Sequence, residues 1–166
     1  MDDASFEAQV TASGAALLRL AVMLVGEPYL AEDLVQSTLF KAFRKWQRVA
    51  AAARPEAYLK AMVVNEYLSW RRRRSSSELP AAVLDDQPSG QDVGGAHAAR
   101  AACWELLAEL PRQQRAVLVL RYYEDLPDEE IARVLGCAVS TVRSNAARAL
   151  ARLRAAVPRL DEEARP

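Results

Sequence analysis

Residues 128–154 read DEEIARVLGCAVSTVRSNAARALARLR. Ile131, Ala132 and Leu135 recur at helical spacing and predict a short amphipathic helix. Gly136 follows it, and glycine takes a positive φ without strain, so the chain turns there. Val142, Ala146, Leu150 and Leu153 then form the inward stripe of a second helix over 140–154. Its other side carries Thr141, Ser144, Ala147 and Arg148, and Arg143, Arg152 and Arg154 add charge with no acidic residue among them. Helix, glycine turn and acid-free helix make the helix-turn-helix pattern, whose second helix lies in a DNA major groove. Hydroxyls and guanidinium groups supply the donors, acceptors and positive charge that base edges and phosphates require. An ordinary helical hairpin with a basic solvated face would keep the stripe, but it does not require all three features together.

Bulk composition is neutral and local composition is not. The chain has 166 residues, half of them apolar, and a formal net charge of zero. Residues 75–99 carry four acidic side chains and no arginine or lysine, whereas 139–160 carry five arginines and no acid. Screening confines each field to about 8–10 Å at physiological salt, so these stripes matter more than the sum. Cys103 and Cys137 lack the spacing of a zinc site or a disulfide framework and read as buried free thiols. No metal cluster, nucleotide loop or catalytic dyad is visible, so neither enzyme activity nor a cofactor is expected. The most apolar early run, 15–25, is interrupted by Arg19 and reads as too short to span a bilayer. With no signal peptide in view, the expectation is a cytoplasmic protein without membrane insertion.

The predicted class is all-α, with two small helical domains and a flexible linker. A three-helix N-terminal bundle covers 1–74: Gly26 ends its first helix, and Pro28 and Pro55 suit the first turns of the second and third. Residues 75–95, SSSELPAAVLDDQPSGQDVGG, lose the apolar stripe and read as a tether, with linker bounds 75–97. A four-helix domain over 98–158 contains a helix at 98–109, another from Pro111 to about Tyr123, and the helix-turn-helix pair. An acidic tail, 159–166, follows.

The first block carries two interaction signals. On the helix 31–47, Ala31, Leu34, Val35, Thr38, Leu39, Ala42 and Trp46 face inward, leaving Asp33, Gln36, Phe40 and Arg44 outward. Phe40 among polar residues marks either a partner surface or a packing contact with the first helix. The third helix, PEAYLKAMVVNEYLSWRRRR, mixes Tyr58, Tyr67 and Trp70 with Arg71, Arg72, Arg73 and Arg74. Arginines hold phosphates and aromatic faces stack on unpaired bases, though core aromatics and a solvated helix end would look the same. Asn65 has the paired donor and acceptor that suit a base edge.

In their order, AEDLVQSTLFKAFRKW, then RPEAYLKAMVVNEYLSWRRRR, a polar linker and LPRQQRAVLVLRYYEDLPDEEIARVLGCAVSTVRSNAARALARLR, these pieces resemble a bacterial sigma factor of the extracytoplasmic-function group. NEYLSWRRRR is close to the SigE-like branch of that group in actinobacteria. The resemblance covers residues 5–156. It implies that the segment Asp33, Leu34, Val35, Gln36, with Phe40, docks on the β′ coiled coil of core RNA polymerase. It implies that Asn65, Trp70 and Arg71 to Arg74, with the loop 49–54, capture the unpaired −10 element. It implies that Ser140, Thr141, Arg143, Ser144, Asn145 and Arg148 read the −35 duplex. Core polymerase and promoter DNA are the implied partners, and an anti-sigma factor is a further candidate.

Three positions depart from the family's pattern. Ser69 stands where an acidic residue is frequent, Ala138 stands where a serine usually caps the recognition helix, and no long extension follows Pro158. A missing cap costs about 1 kcal/mol, unless Ser140 caps a later start. A transcription regulator that never joins polymerase is the alternative, and it leaves Asp33, Gln36 and Phe40 without a purpose. A module that masks another sigma factor is a third, and it has no use for Arg143 and Arg148. The promoter elements lie roughly 16–18 base pairs apart, about 55–60 Å at 3.4 Å per step. Some twenty extended linker residues reach about 65–70 Å, and as a relaxed coil only about 25 Å.

Overall fold

The computed structural model describes residues 3–76 and 95–163, with side chains described over 4–70 and 101–157. It is all-α. The N-terminal half contains α1 (Asp3–Val25), α2 (Pro28–Phe43), α3 (Trp46–Ala50) and α4 (Pro55–Ser76). The C-terminal half contains α5 (Gly95–Ala108), α6 (Arg112–Leu118) with a π-helical turn (Val119–Tyr123), α7 (Asp128–Leu135) and α8 (Val139–Glu163). Most of the expected linker, 77–94, lies outside the described residues.

Helix boundaries follow local chemistry. Gly26, at φ 77°, closes α1, and the Glu27 carboxylate then accepts from the backbone N–H groups of Tyr29 and Leu30 at 2.8 and 2.7 Å. That cap, with Pro28 in the first turn, starts α2 where the sequence placed it. Four helices replace the expected three in this half. The predicted helix 31–47 stops at Phe43, and Trp46 and Val49 bury themselves from the separate short helix α3. Phe6 of α1 meets Phe43 and Trp46 edge-on, with ring centroids 5.1 and 5.2 Å away.

Leu17, Leu20, Leu24, Leu34, Leu59, Val63 and Val64 are fully buried between α1, α2 and α4. Truncating such a leucine to alanine costs about 2–5 kcal/mol. Two expectations need correction. The apolar run of α1 is not short: Ala4–Val25 has the length and composition to cross a membrane, and its apolar side is taken up by α2 and α4. Neither thiol is buried: Cys103 is exposed and Cys137 half-buried, both free, because Leu107 and Leu110 supply the buried positions around α5.

The two halves pack together. Helix α4 lies against α6 and α7, and α1 touches the π-helical turn. Polar contacts cross the seam as well. Arg115 of α6, 5% exposed, donates from Nε to the Met23 carbonyl at 3.1 Å, placing a cation at the negative end of α1. Lys60 of α4 meets Glu124 at 2.8 Å, and Asn65 of α4 donates from Nδ2 to the Val134 carbonyl at 3.0 Å. Gly26 serves this seam as well as the turn, since a Cβ there would stand 3.2 Å from Arg115 Nη2. Replacing Arg115 by methionine keeps bulk and removes the donor. Arg115→Met should lower stability by about 1.5–3 kcal/mol, read by chemical denaturation, and an unchanged midpoint would show that the contact carries no weight.

Candidate nucleic-acid interface

Helix α7 ends at Gly136, whose φ of 64° and ψ of 38° are the left-handed values a turn of this kind requires. The Cys137 N–H closes the turn on the Ala132 carbonyl at 3.1 Å. Ile131, Ala132, Val142, Ala146 and Ala149 are buried between α7 and α8, with Leu135, Leu150 and Leu153 half-buried beside them. Helix α8 begins at Val139, earlier than expected, and the Ala138 carbonyl accepts from Thr141 and Val142. Ser140 therefore lies inside the helix, and the cap position holds an alanine with no side-chain acceptor.

Ser140, Thr141, Arg143 and Arg148 are exposed on α8, and Ser144 and Asn145 are half-buried. The six form one surface that begins at the helix N-terminus. Arg148 has no ion pair among the described residues, whereas Arg143 Nε meets Asp128 Oδ2 at 3.2 Å. The other oxygen of Asp128 accepts from Arg121 Nε at 3.1 Å and from Arg121 Nη2. The Arg121 hydrogen bond lowers the Asp128 pKa against the opposing effect of desolvation, and Arg143 adds to the lowering. This stabilisation is fully present above the ordinary carboxylate range and is lost as pH falls through the lower folded value.

The −10 candidates divide by depth. Tyr67 is 2% exposed and belongs to the core. Trp70 is half-buried, and the side chains of Arg71, Arg72, Arg73 and Arg74 lie outside the described residues. Asn65 is exposed at the rim of a cleft of about 410 Å³ between α2 and α4, lined also by Lys41, Lys45, Tyr58, Met62 and Ser69. Glu66, 8% exposed, braces the cleft floor by accepting from Ser37 and Lys41 of α2. Lys41 and Lys45 were absent from the sequence reading; their signal is helical spacing from Thr38 toward the α4 side. Lys60 stands one turn before the asparagine. Its burial works against its charge, and the carboxylates of Glu124 and Glu56 more than offset this, so its pKa is raised.

On α2, Asp33 and Gln36 are exposed and Phe40 is 67% exposed, which removes the packing alternative for that phenylalanine. Leu34 and Val35 differ: they are 1% and 8% exposed and form the floor under the face, not its contact surface. Tyr29, 75% exposed, continues the same stripe one turn before Asp33. Sequence reasoning missed it, although the four-residue spacing was visible.

Comparison with known proteins agrees with this layout. Residues 10–77 match the family model for sigma-70 region 2, and residues 100–153 match that for sigma-70 region 4. The RNA polymerase sigma-E factor of Streptomyces avermitilis is 39% identical over 160 residues, covering 96% of this chain and 89% of that protein. The ECF RNA polymerase sigma factor SigL of Mycobacterium tuberculosis is 33% identical over 135 residues, 78% of this chain and 76% of its own. Among solved structures, the sigma factor RpoE of Bartonella quintana, crystallised with the anti-sigma factor NepR, superimposes with a TM-score of 0.70 at 26% identity, over 93% of this chain and 97% of that one. With both regions in order and relatives that span nearly its whole length, the chain belongs to the sigma-70 family, in its extracytoplasmic-function group, and directs promoter-specific transcription initiation.

Proposed function

We propose that this sigma factor docks on core RNA polymerase through the α2 face of Asp33, Gln36 and Phe40, with Tyr29 extending it. Helix α8 reads the −35 duplex through Ser140, Thr141, Arg143, Ser144, Asn145 and Arg148. The cleft between α2 and α4 receives unpaired −10 bases. The observation that carries this assignment is the cleft itself: an amide at its rim, an aromatic ring and two lysines in its lining match a base edge, a base face and a phosphate. Trp70 and the arginines 71–74 extend the same helix toward the strand's backbone. The chain contributes binding energy only, offsetting the few kcal/mol that unstacking each base costs, and it acts where polymerase acts, in the cytoplasm. The Bartonella relative bound to NepR supports an anti-sigma factor as a further partner.

Promoter recognition requires the two halves to part. Asn65 and Val134 are 3.0 Å apart in the free chain, whereas the two promoter elements are separated by roughly 55–60 Å of DNA. An Asn65 amide that donates to Val134 has that donor committed, and α7 stands beside the cleft rim. Core polymerase, by binding α2 on one half and drawing the other toward the upstream element, supplies the separation. The bodies that would part end with α4 at Ser76 and begin with α5 at Gly95, close to the boundaries 74 and 98 read from the sequence, and the second runs past 158 to the end of α8 at Glu163.

Two results test the assignment. Asp33→Arg combined with Phe40→Ala should abolish co-purification with core polymerase while the helical circular dichroism stays the same, since both side chains lie outside the core; retained co-purification would remove α2 from the docking role. Asn65→Ala should leave −35 duplex binding by the holoenzyme intact and reduce permanganate reactivity of −10 thymines several-fold. Normal strand opening by that variant would confine Asn65 to the seam between the halves.

A further inference from the structure

Asp128 spends its carboxylate on two arginines from different elements. One oxygen accepts from Arg121 in the π-helical turn, and the other from Arg143 Nε on α8 at 3.2 Å. A first-turn aspartate already favours its own helix N-terminus, and nothing in that role calls for a partner on α8. Among the described residues, Arg143 is the one arginine of α8 held by an ion pair. The contact uses Nε, so the two terminal nitrogens of this 65% exposed side chain keep the fork that grips a guanine edge or a phosphate.

We infer that Asp128 is a positioning residue for promoter reading: anchored by Arg121, it fixes the direction of the Arg143 fork before DNA arrives. The inference rests on the assignment of α8 to the −35 duplex. An arginine ordered in advance loses less rotamer freedom on binding, and the gain goes to the one site whose groups meet the fork where it is held. A random duplex gains nothing from the fixed direction, while the nearby carboxylate repels its phosphates. Asp128 therefore raises the preference for the right sequence over the wrong one. Its carboxyl is held below the ordinary range by Arg121 and Arg143, so it is ionised wherever transcription takes place.

The test uses holoenzyme assembled from the full chain and a bacterial core polymerase that it binds. A duplex enriched by the wild-type holoenzyme from a randomised upstream element is compared with an unrelated duplex of equal length. Asp128→Asn should weaken binding of the enriched duplex and leave the unrelated one unchanged or tighter, so that their affinity ratio falls roughly 3- to 10-fold. In an Arg143→Ala background the same substitution should leave the ratio unchanged. A merely structural role would weaken both duplexes together and hold the ratio constant, and that overturns the inference. So does an equal fall in the Arg143→Ala background. If Asp128→Asn melts below the assay temperature, Asp128→Glu is read instead: it keeps a charge for Arg121 but displaces the carboxylate, and the ratio should fall in the same direction; an unchanged ratio overturns the inference. Failure of the wild-type holoenzyme to enrich any duplex would overturn the −35 assignment itself, and this inference with it.

Discussion

Helix α4 has two working faces, and the rest of the molecule is arranged around that fact. One face buries Leu59, Val63, Val64 and Tyr67 against α1 and α2. This apolar contact holds the N-terminal half together and fixes the helix in rotation. The rotation turns Lys60 and Asn65 toward the C-terminal half, where they find Glu124 and the Val134 carbonyl. Without the buried face the polar face would have no defined direction, and neither the seam nor the cleft would exist.

The seam combines apolar contact, since the buried residues of both halves form one cluster, with polar contact of a different kind. Arg115, Lys60 and Asn65 make polar contacts across it, and each contact can be exchanged for one to water, to polymerase or to nucleic acid. Exchange of that sort is feasible, because an intramolecular hydrogen bond is worth about 0.5–1.5 kcal/mol over its hydrated alternative, or about 1.5–3 kcal/mol where a charged group takes part. The apolar cores offer no such exchange. Two halves with leucine, valine and isoleucine interiors, meeting partly through replaceable polar contacts, suit a protein that must fold alone and then present its two DNA-reading surfaces far apart.

Much of this was legible in the sequence. The turn at Gly136, the stripe of Val142 and Ala146, and the outward Phe40 follow from helical periodicity and one positive φ. The break after Phe43 was hidden, because Trp46 lies four residues beyond Ala42 and continues the inward pattern whether or not the helix does. The cleft was half visible: Asn65 and Tyr58 stood out, but nothing in the sequence distinguishes Lys41 and Lys45 until α4 is placed beside α2. The seam was invisible for a sharper reason. Two of its acceptors, at Met23 and Val134, are backbone carbonyls, and every residue has one. Arg115 likewise looks like a surface cation in PRQQRAV until its burial is known.

The distance between α4 and α7 is the most direct measure of the account. Spin labels at Ala57→Cys and Arg133→Cys, both exposed positions, in a Cys103→Ser, Cys137→Ser background, report it by electron–electron double resonance. The free chain should give one short, narrow distance. Holoenzyme on promoter DNA should lose that population and move by tens of ångström toward the roughly 55–60 Å that separates the promoter elements. The same short distance in both states would contradict the account, because α4 and α8 could not then occupy the two elements at once.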